Sequence, residues 1–278
     1  MKKITLGEHY FQSALMLRDS LFINSLLTNA EVWYGISSAD LAQLENLDKS
    51  LLRRFLNAPS STPTEALYLE LGCLDINTII KARRINYLHY LANLKPEEMM
   101  HRFFLAQWKY PCKKDWTVQV KVDLEDFDLP VDLEFIKSKS KGSFKRLVRK
   151  KAKEFAFITF INRKLEHSKL KDLSYSDLKI QTYLLSNFTV HEARLIFSFR
   201  VRMAHFKCNF KSRWESLLCP LCSEHLDDQS LILQCTVIKS KISHFKGNLR
   251  SIFGTNIDKD LVNNLNKIMT IRNEYFCL

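Results

Sequence analysis

Glycine and proline, on which tight turns and phosphate-cradling loops depend, each occur only six times in this 278-residue chain. Ordinary usage of about 7% and 5% would supply roughly 19 and 14. Many-stranded folds joined by short hairpins, and nucleotide loops of the Gly-rich kind, therefore have almost no raw material here. Helices need neither residue, so the chain is predicted to be all-α. Apolar residues make up 46% of it, enough for a sizeable core and too many for a disordered polymer. The length suggests two domains, with room for a small third.

Periodicity and capping signals place the helices. Residues 1 to about 30 carry Leu15, Leu21, Phe22, Leu26 and Leu27 close to a 3.6-residue spacing and read as one or two amphipathic helices. Ser37 or Ser38 can cap a helix with Leu41, Leu44, Leu51, Leu52 and Phe55 on its apolar face. Thr62-Pro63-Thr64-Glu65 has the form of a capping box, with Gly72 as the left-handed stop, and Asn77 is placed to cap the next helix. Pro96 opens a further helix through Trp108. Residues 116–126 alternate like a strand at Val118, Val120 and Val122 but repeat like a helix at Trp116, Val120 and Leu124; helix is expected. Thr189 with Glu192 makes a second capping box, opening a helix to about Lys207, and two helices, about 239–253 and 259–276, finish the chain. These patterns divide it into a helical segment 1–111, a basic connector 112–188 and a C-terminal segment 189–278.

The net charge of +12 favours polyanionic partners. Between positions 137 and 153 the basic residues run without an acid, and Phe144, Leu147, Val148, Phe155 and Ala156 form an apolar stripe beside them. One helix with a basic face is expected, carrying Lys145, Arg146, Arg149, Lys150 and Lys153. A second acid-free set, Arg200, Arg202, Lys207, Lys211 and Arg213, follows Arg194. Cations set against phosphates release condensed counterions, which gives salt-sensitive, sequence-independent affinity for RNA or DNA. The competing reading is that both runs are merely solvated faces. The acids Asp123, Glu125, Asp126 and Asp128 are read as a solvated face too, with no Mg2+ site expected. His89 and His101 fall within helical patterns, where a core or surface role is the default, and His225-Leu226-Asp227-Asp228 carries no catalytic weight because no strand pair surrounds it.

The sharpest local signal is Cys219-Pro220-Leu221-Cys222 followed by Cys235. A C-x2-C turn presents two thiolates to one tetrahedral ion, Cys235 adds a third, and Zn2+ needs a fourth N or S ligand. A ligand one helical turn before Cys235 would share its face, but that position is Leu231. His225 is the nearest substitute, with His244 and Cys208 as others; without metal, these would be small buried cysteines. The cysteine total of seven is odd and unevenly spaced, which favours reduced thiols. The longest apolar run, Phe155–Ile161, is far short of the ~18 residues of a membrane span. An intracellular protein, cytoplasmic or nuclear, is expected, with no membrane partner.

Several stretches carry a family resemblance. LLTNAEVWYG (26–35), LENLDKSLLRRFLNAPSSTPTEALYLELG (44–72) and RRINYLHYL (83–91) resemble the helical thumb region that follows the palm in reverse transcriptases of non-LTR (LINE-type) retrotransposons. FRVRMAHFKCNFKSRWESLLCPLC (199–222) and DDQSLILQC (227–235) are similar to the C-terminal Cys/His knuckle of the same polyproteins. The resemblance implies a thumb that grips primer-template duplex and a knuckle that binds RNA or DNA. It also implies metal ligands at Cys219, Cys222, Cys235 and a histidine at position 231, where this chain has Leu231, so that zinc would be held weakly. The palm and its two-Mg2+ carboxylates are not in this sequence, which implies a non-catalytic C-terminal fragment of an RNA-directed DNA polymerase. A helical protein-interaction module, with solvated basic faces and no nucleic-acid role, is the alternative.

Overall fold

The computed structural model describes residues 7–242, 249–254 and 257–276. The architecture is all-α: α1 (Gly7–Leu17), α2 (Ile23–Leu26), α3 (Ser38–Leu56), α4 (Thr64–Leu71), α5 (Ile76–Ala92), α6 (Met99–Lys109), α7 (Trp116–Asp126), α8 (Leu133–Lys137), α9 (Lys141–Lys164), α10 (Val190–Arg200), α11 (Thr236–Lys241) and α12 (Lys259–Phe276). Two compact units result. One is drawn from residues up to Leu15, from Leu52–Gly72 and from Arg163 onward; the other from Met16–Leu51 and Cys73–Asn162. Three of their four boundaries fall inside α1, α3 and α9 and the fourth between α4 and α5, so the units are not consecutive segments of the chain. Burial follows contact, and distant parts of a chain can share one core.

In the second unit α5 to α9 enclose Ile85, Leu88, Val120, Leu124, Ile136, Phe144, Val148 and Ala152. Phe144, Val148 and Ala152 recur every fourth residue of α9, so one stripe is buried while Lys145, Arg146, Arg149 and Lys150 stay exposed. Residues 116–126 are helical because Val120 and Leu124, one turn apart, both face this core. His89 stacks on Phe144, and His101 Nδ1 lies 2.9 Å from the Leu91 carbonyl, so both are core histidines. In the first unit α4 is buried almost all round, and α10 packs against α12, with Ile196, Phe197, Leu261 and Leu265 buried on the two helices.

Buried Arg–carboxylate pairs hold each unit. In the second, Arg18 forks onto Asp48 at 2.6 and 2.7 Å, and Arg84 onto Asp123 at 2.6 and 3.0 Å. In the first, Arg200 meets Glu70 at 3.0 and 3.2 Å, and Arg272 meets Asp227 at 2.5 and 2.8 Å. Asp123 is therefore not part of a solvated acidic face. Its neighbours Asp126 and Asp128 pair with Lys81 and Lys151.

Several helix ends differ from expectation for local reasons. A π turn over Arg18–Phe22 adds a residue to the first helix, so Ile23 and Leu27 continue the buried face and Leu21 is exposed. Asp75, not Asn77, caps α5, because its carboxylate accepts from Thr78 N–H at 2.6 Å. Thr62 does not cap α4: Pro63 takes that place, and Glu65 turns to His167, 3.1 Å away. The Thr189/Glu192 box forms in full. Its helix ends at Arg200, not near Lys207, because Arg202 adopts a left-handed φ of 52°. Of the helix expected over 239–253, α11 and a 3-10 turn (Leu249–Phe253) are described, and 243–248 lie outside the described residues.

Gly72 ends α4 as the sequence indicates, at φ 63°. A Cβ there would overlap the backbone of Lys179 and Ile180, which comes alongside through the Leu71/Ile180 bridge. Gly72→Ala is accordingly expected to destabilise by more than the ~1–2 kcal/mol of left-handed strain alone. A thermal melt showing an unchanged midpoint would contradict this packing.

Candidate nucleic-acid interface and thiolate cluster

The C-x2-C turn forms the tip of a small hairpin. Cys219 N–H donates to His225 O (2.7 Å), Asp227 N–H to Leu217 O (2.7 Å), and Ser223 N–H back to Cys219 O (2.9 Å). A left-handed Ser223, φ 57°, closes the turn. Cys235 arrives from the 3-10 turn Ile232–Gln234 and precedes the first residue of α11. The three sulfurs all lie within 4.8 Å of one another, with Cys219 and Cys235 3.9 Å apart. Cys219 and Cys235 are buried and Cys222 is half-buried. Burial pushes the Cys235 thiol up to about 11, reinforced by the neighbouring sulfurs. Burial acts the same way on Cys222, but the backbone N–H groups of Glu224 and His225 together with the Cys235 and Cys219 sulfurs outweigh it and hold that thiol below its ordinary value.

The fourth ligand is where the structure departs from the sequence argument. Cys235 has an extended backbone (φ −60°, ψ 123°), and Leu231 precedes a 3-10 turn, so positions 231 and 235 do not share the face of an α-helix. The His225 imidazole is outside the sulfur cluster; that residue serves the hairpin through its carbonyl. Cys208 is also outside it, and His244 lies outside the described residues.

Asp227 joins this hairpin to the basic segment before it. Its fully buried carboxylate accepts from Arg272 and, at 2.8 Å, from Lys207 N–H, while its carbonyl accepts from Cys208 N–H at 3.1 Å. The tie anchors the start of the 3-10 stretch Lys207–Arg213. That stretch forms one wall of a cavity of about 730 Å³ lined by Lys169, Lys171, Arg202, Lys211 and Arg213, with Asp228 the one carboxylate among its lining residues. Phe210 lies in the same wall. Lys169 donates to Asn209 O at 2.7 Å, and burial holds its ammonium below the ordinary lysine range.

The structure thus brings three of the expected residues, Arg202, Lys211 and Arg213, into one cleft. Arg202 also pairs with Asp172 at 2.7 Å. Lys207 is placed over the Trp214 ring. Arg200 is corrected: it is 1% exposed, bound to Glu70 and to the carbonyls of Ile252 and Gly254, and unavailable to a phosphate. Its position inside α10 faces the core, a fact that a count of cations cannot register. Lys145, Arg146, Arg149, Lys150 and Lys153 belong to the other unit, on α9, where Lys150 lies 3.7 Å from Glu154. Lys169 and Lys171 carry no such signal in the sequence, because Asp172 follows them and breaks the acid-free pattern.

Comparison with protein-family models, with characterised proteins and with solved structures finds no match to this chain. No helix among the described residues is long and apolar enough to cross a membrane.

Proposed function

We propose that this chain binds RNA or DNA through the phosphate backbone, with the cleft beside Lys207–Arg213 as its principal site and the exposed face of α9 as a second basic surface. The observation that carries the reading is the convergence of Lys169, Lys171, Lys211 and Arg213 on one cavity whose lining has Asp228 as its one carboxylate, with Arg202, paired to Asp172, beside them. A neutral or cationic ligand gains nothing from such a field; a polyphosphate gains counterion release at each contact. The resemblance to the C-terminal part of non-LTR retrotransposon reverse transcriptases agrees with it. No catalysis is proposed for the chain itself, since Asp123, Asp126 and Asp128 are each engaged by a cation and do not converge as a divalent-metal site.

The three sulfurs fit a thiophilic ion, and Zn2+ suits them best where the ion serves structure and not redox. Cys219, Cys222 and Cys235 would hold it, tying α11 to the hairpin, with the fourth position left to a group outside the three sulfurs. A shell short of one protein ligand is expected to hold zinc weakly and below one equivalent after purification. Metal analysis and cobalt substitution read by thiolate absorption test this, with Cys235→Ser as the control. Stoichiometric zinc that resists chelators would mean that a fourth ligand closes the shell.

Fluorescence anisotropy with labelled oligonucleotides across a salt series tests the main reading. Affinity in the range ~10⁻⁴ to 10⁻⁶ M at physiological salt, falling steeply as salt rises, is expected. Absent or salt-indifferent binding would favour the interaction-module reading, for which α6 exposes Met99, Met100 and Phe103 beside Tyr110.

A further inference from the structure

We infer that the cleft selects single-stranded over double-stranded nucleic acid, by stacking an unpaired base on Phe210; this rests on the nucleic-acid reading above and narrows it. The cleft is not a uniformly charged trough. Phe210 is half-buried in its wall, with Lys169 Nζ 5.2 Å and the Arg213 guanidinium 5.1 Å from the ring centroid. His205 has its ring 6.3 Å from Phe210 and 6.4 Å from Trp214, and Lys207 lies 5.5 Å from the Trp214 centroid. Aromatic rings thus alternate with cations along one short segment.

That alternation matches the chemistry of an unpaired strand. Each nucleotide offers a phosphate for a cation and, one sugar away, a base face for a ring or a guanidinium plane. A duplex offers the phosphates alone, because its base faces are stacked inward. The cavity of about 730 Å³ is concave and of small-ligand size, suited to one or two splayed nucleotides and not to the convex flank of a helix. Lys169, Lys171 and Lys211 would take phosphates. Arg213, whose side chain is exposed, can leave the Phe210 face to a base and pair with that nucleotide's phosphate.

The test compares the full chain with a 12-nucleotide single strand, as RNA and as DNA, and with a blunt duplex of the same length. Wild type should prefer the single strands. Phe210→Ala should weaken single-strand affinity by about tenfold or more while changing duplex affinity little, and Phe210→Trp should restore it. Phe210→Leu keeps the apolar volume without the π face, so its loss of single-strand preference separates stacking from misfolding. Equal affinity for both forms, or a Phe210→Leu variant that retains the preference, would overturn the inference and leave backbone binding standing. Failure to bind any of the oligonucleotides would instead remove the broader reading.

Discussion

Asp227→Asn is expected to cost about 3–5 kcal/mol of stability, because it takes the Asp227 carboxylate's charge away from the buried Arg272 guanidinium. The pair is fully enclosed, with Arg272 and Asp227 both at 0% exposure. The same carboxylate positions Lys207 N–H, so the substitution should also loosen the segment that carries Lys211 and Arg213. Nucleic-acid affinity should therefore fall although no cation has been removed. Asp123→Asn is the natural comparison. It strands Arg84 in the other unit and should lower the urea midpoint by a similar amount, yet leave the cleft's affinity intact under folding conditions. If Asp227→Asn bound oligonucleotides as the wild type does, the proposed link between hairpin and cleft would be wrong.

Replacing Lys171, Lys211 and Arg213 together by Gln is expected to lower the slope of log K against log salt by about 2, at roughly 0.7 per single-strand phosphate contact. At 0.1 M salt the same change amounts to about 100-fold in affinity if the value extrapolated to 1 M is unaltered. All three side chains are exposed, so stability should hardly move. The parallel variant on α9, Lys145, Arg146, Arg149 and Lys150 to Gln, measures the second surface. A larger effect there than in the cleft would shift the principal site to α9.

Fold class was legible because it depends on local quantities. Scarce Gly and Pro, a 3.6-residue apolar spacing and short-range capping are written within a few residues of each other, and the helix at 116–126, the Thr189/Glu192 box and the left-handed stop at Gly72 all follow from them. The basic face of α9 was legible for the same reason, since one helix carries both the buried stripe and the cations opposite it. Where caps were misplaced, at Asp75 and Pro63, neighbouring residues of similar chemistry competed and tertiary burial chose between them.

The site was legible only in part. The C-x2-C spacing places Cys219 and Cys222 on one turn by itself, whereas the approach of Cys235 depends on a 3-10 turn and not on the α-helical turn that a ligand at position 231 would need. Charge alone grouped Arg200 with Arg202, Lys207, Lys211 and Arg213. Long-range pairing then separated them, drawing Arg200 130 residues back to Glu70 and bringing Lys169 and Lys171 in beside Phe210. A sequence determines which side chains are charged and which face of each helix is apolar. Which charges are neutralised by burial and which are left to face one cavity depends on contacts between residues far apart in the chain, and only the tertiary structure decides those.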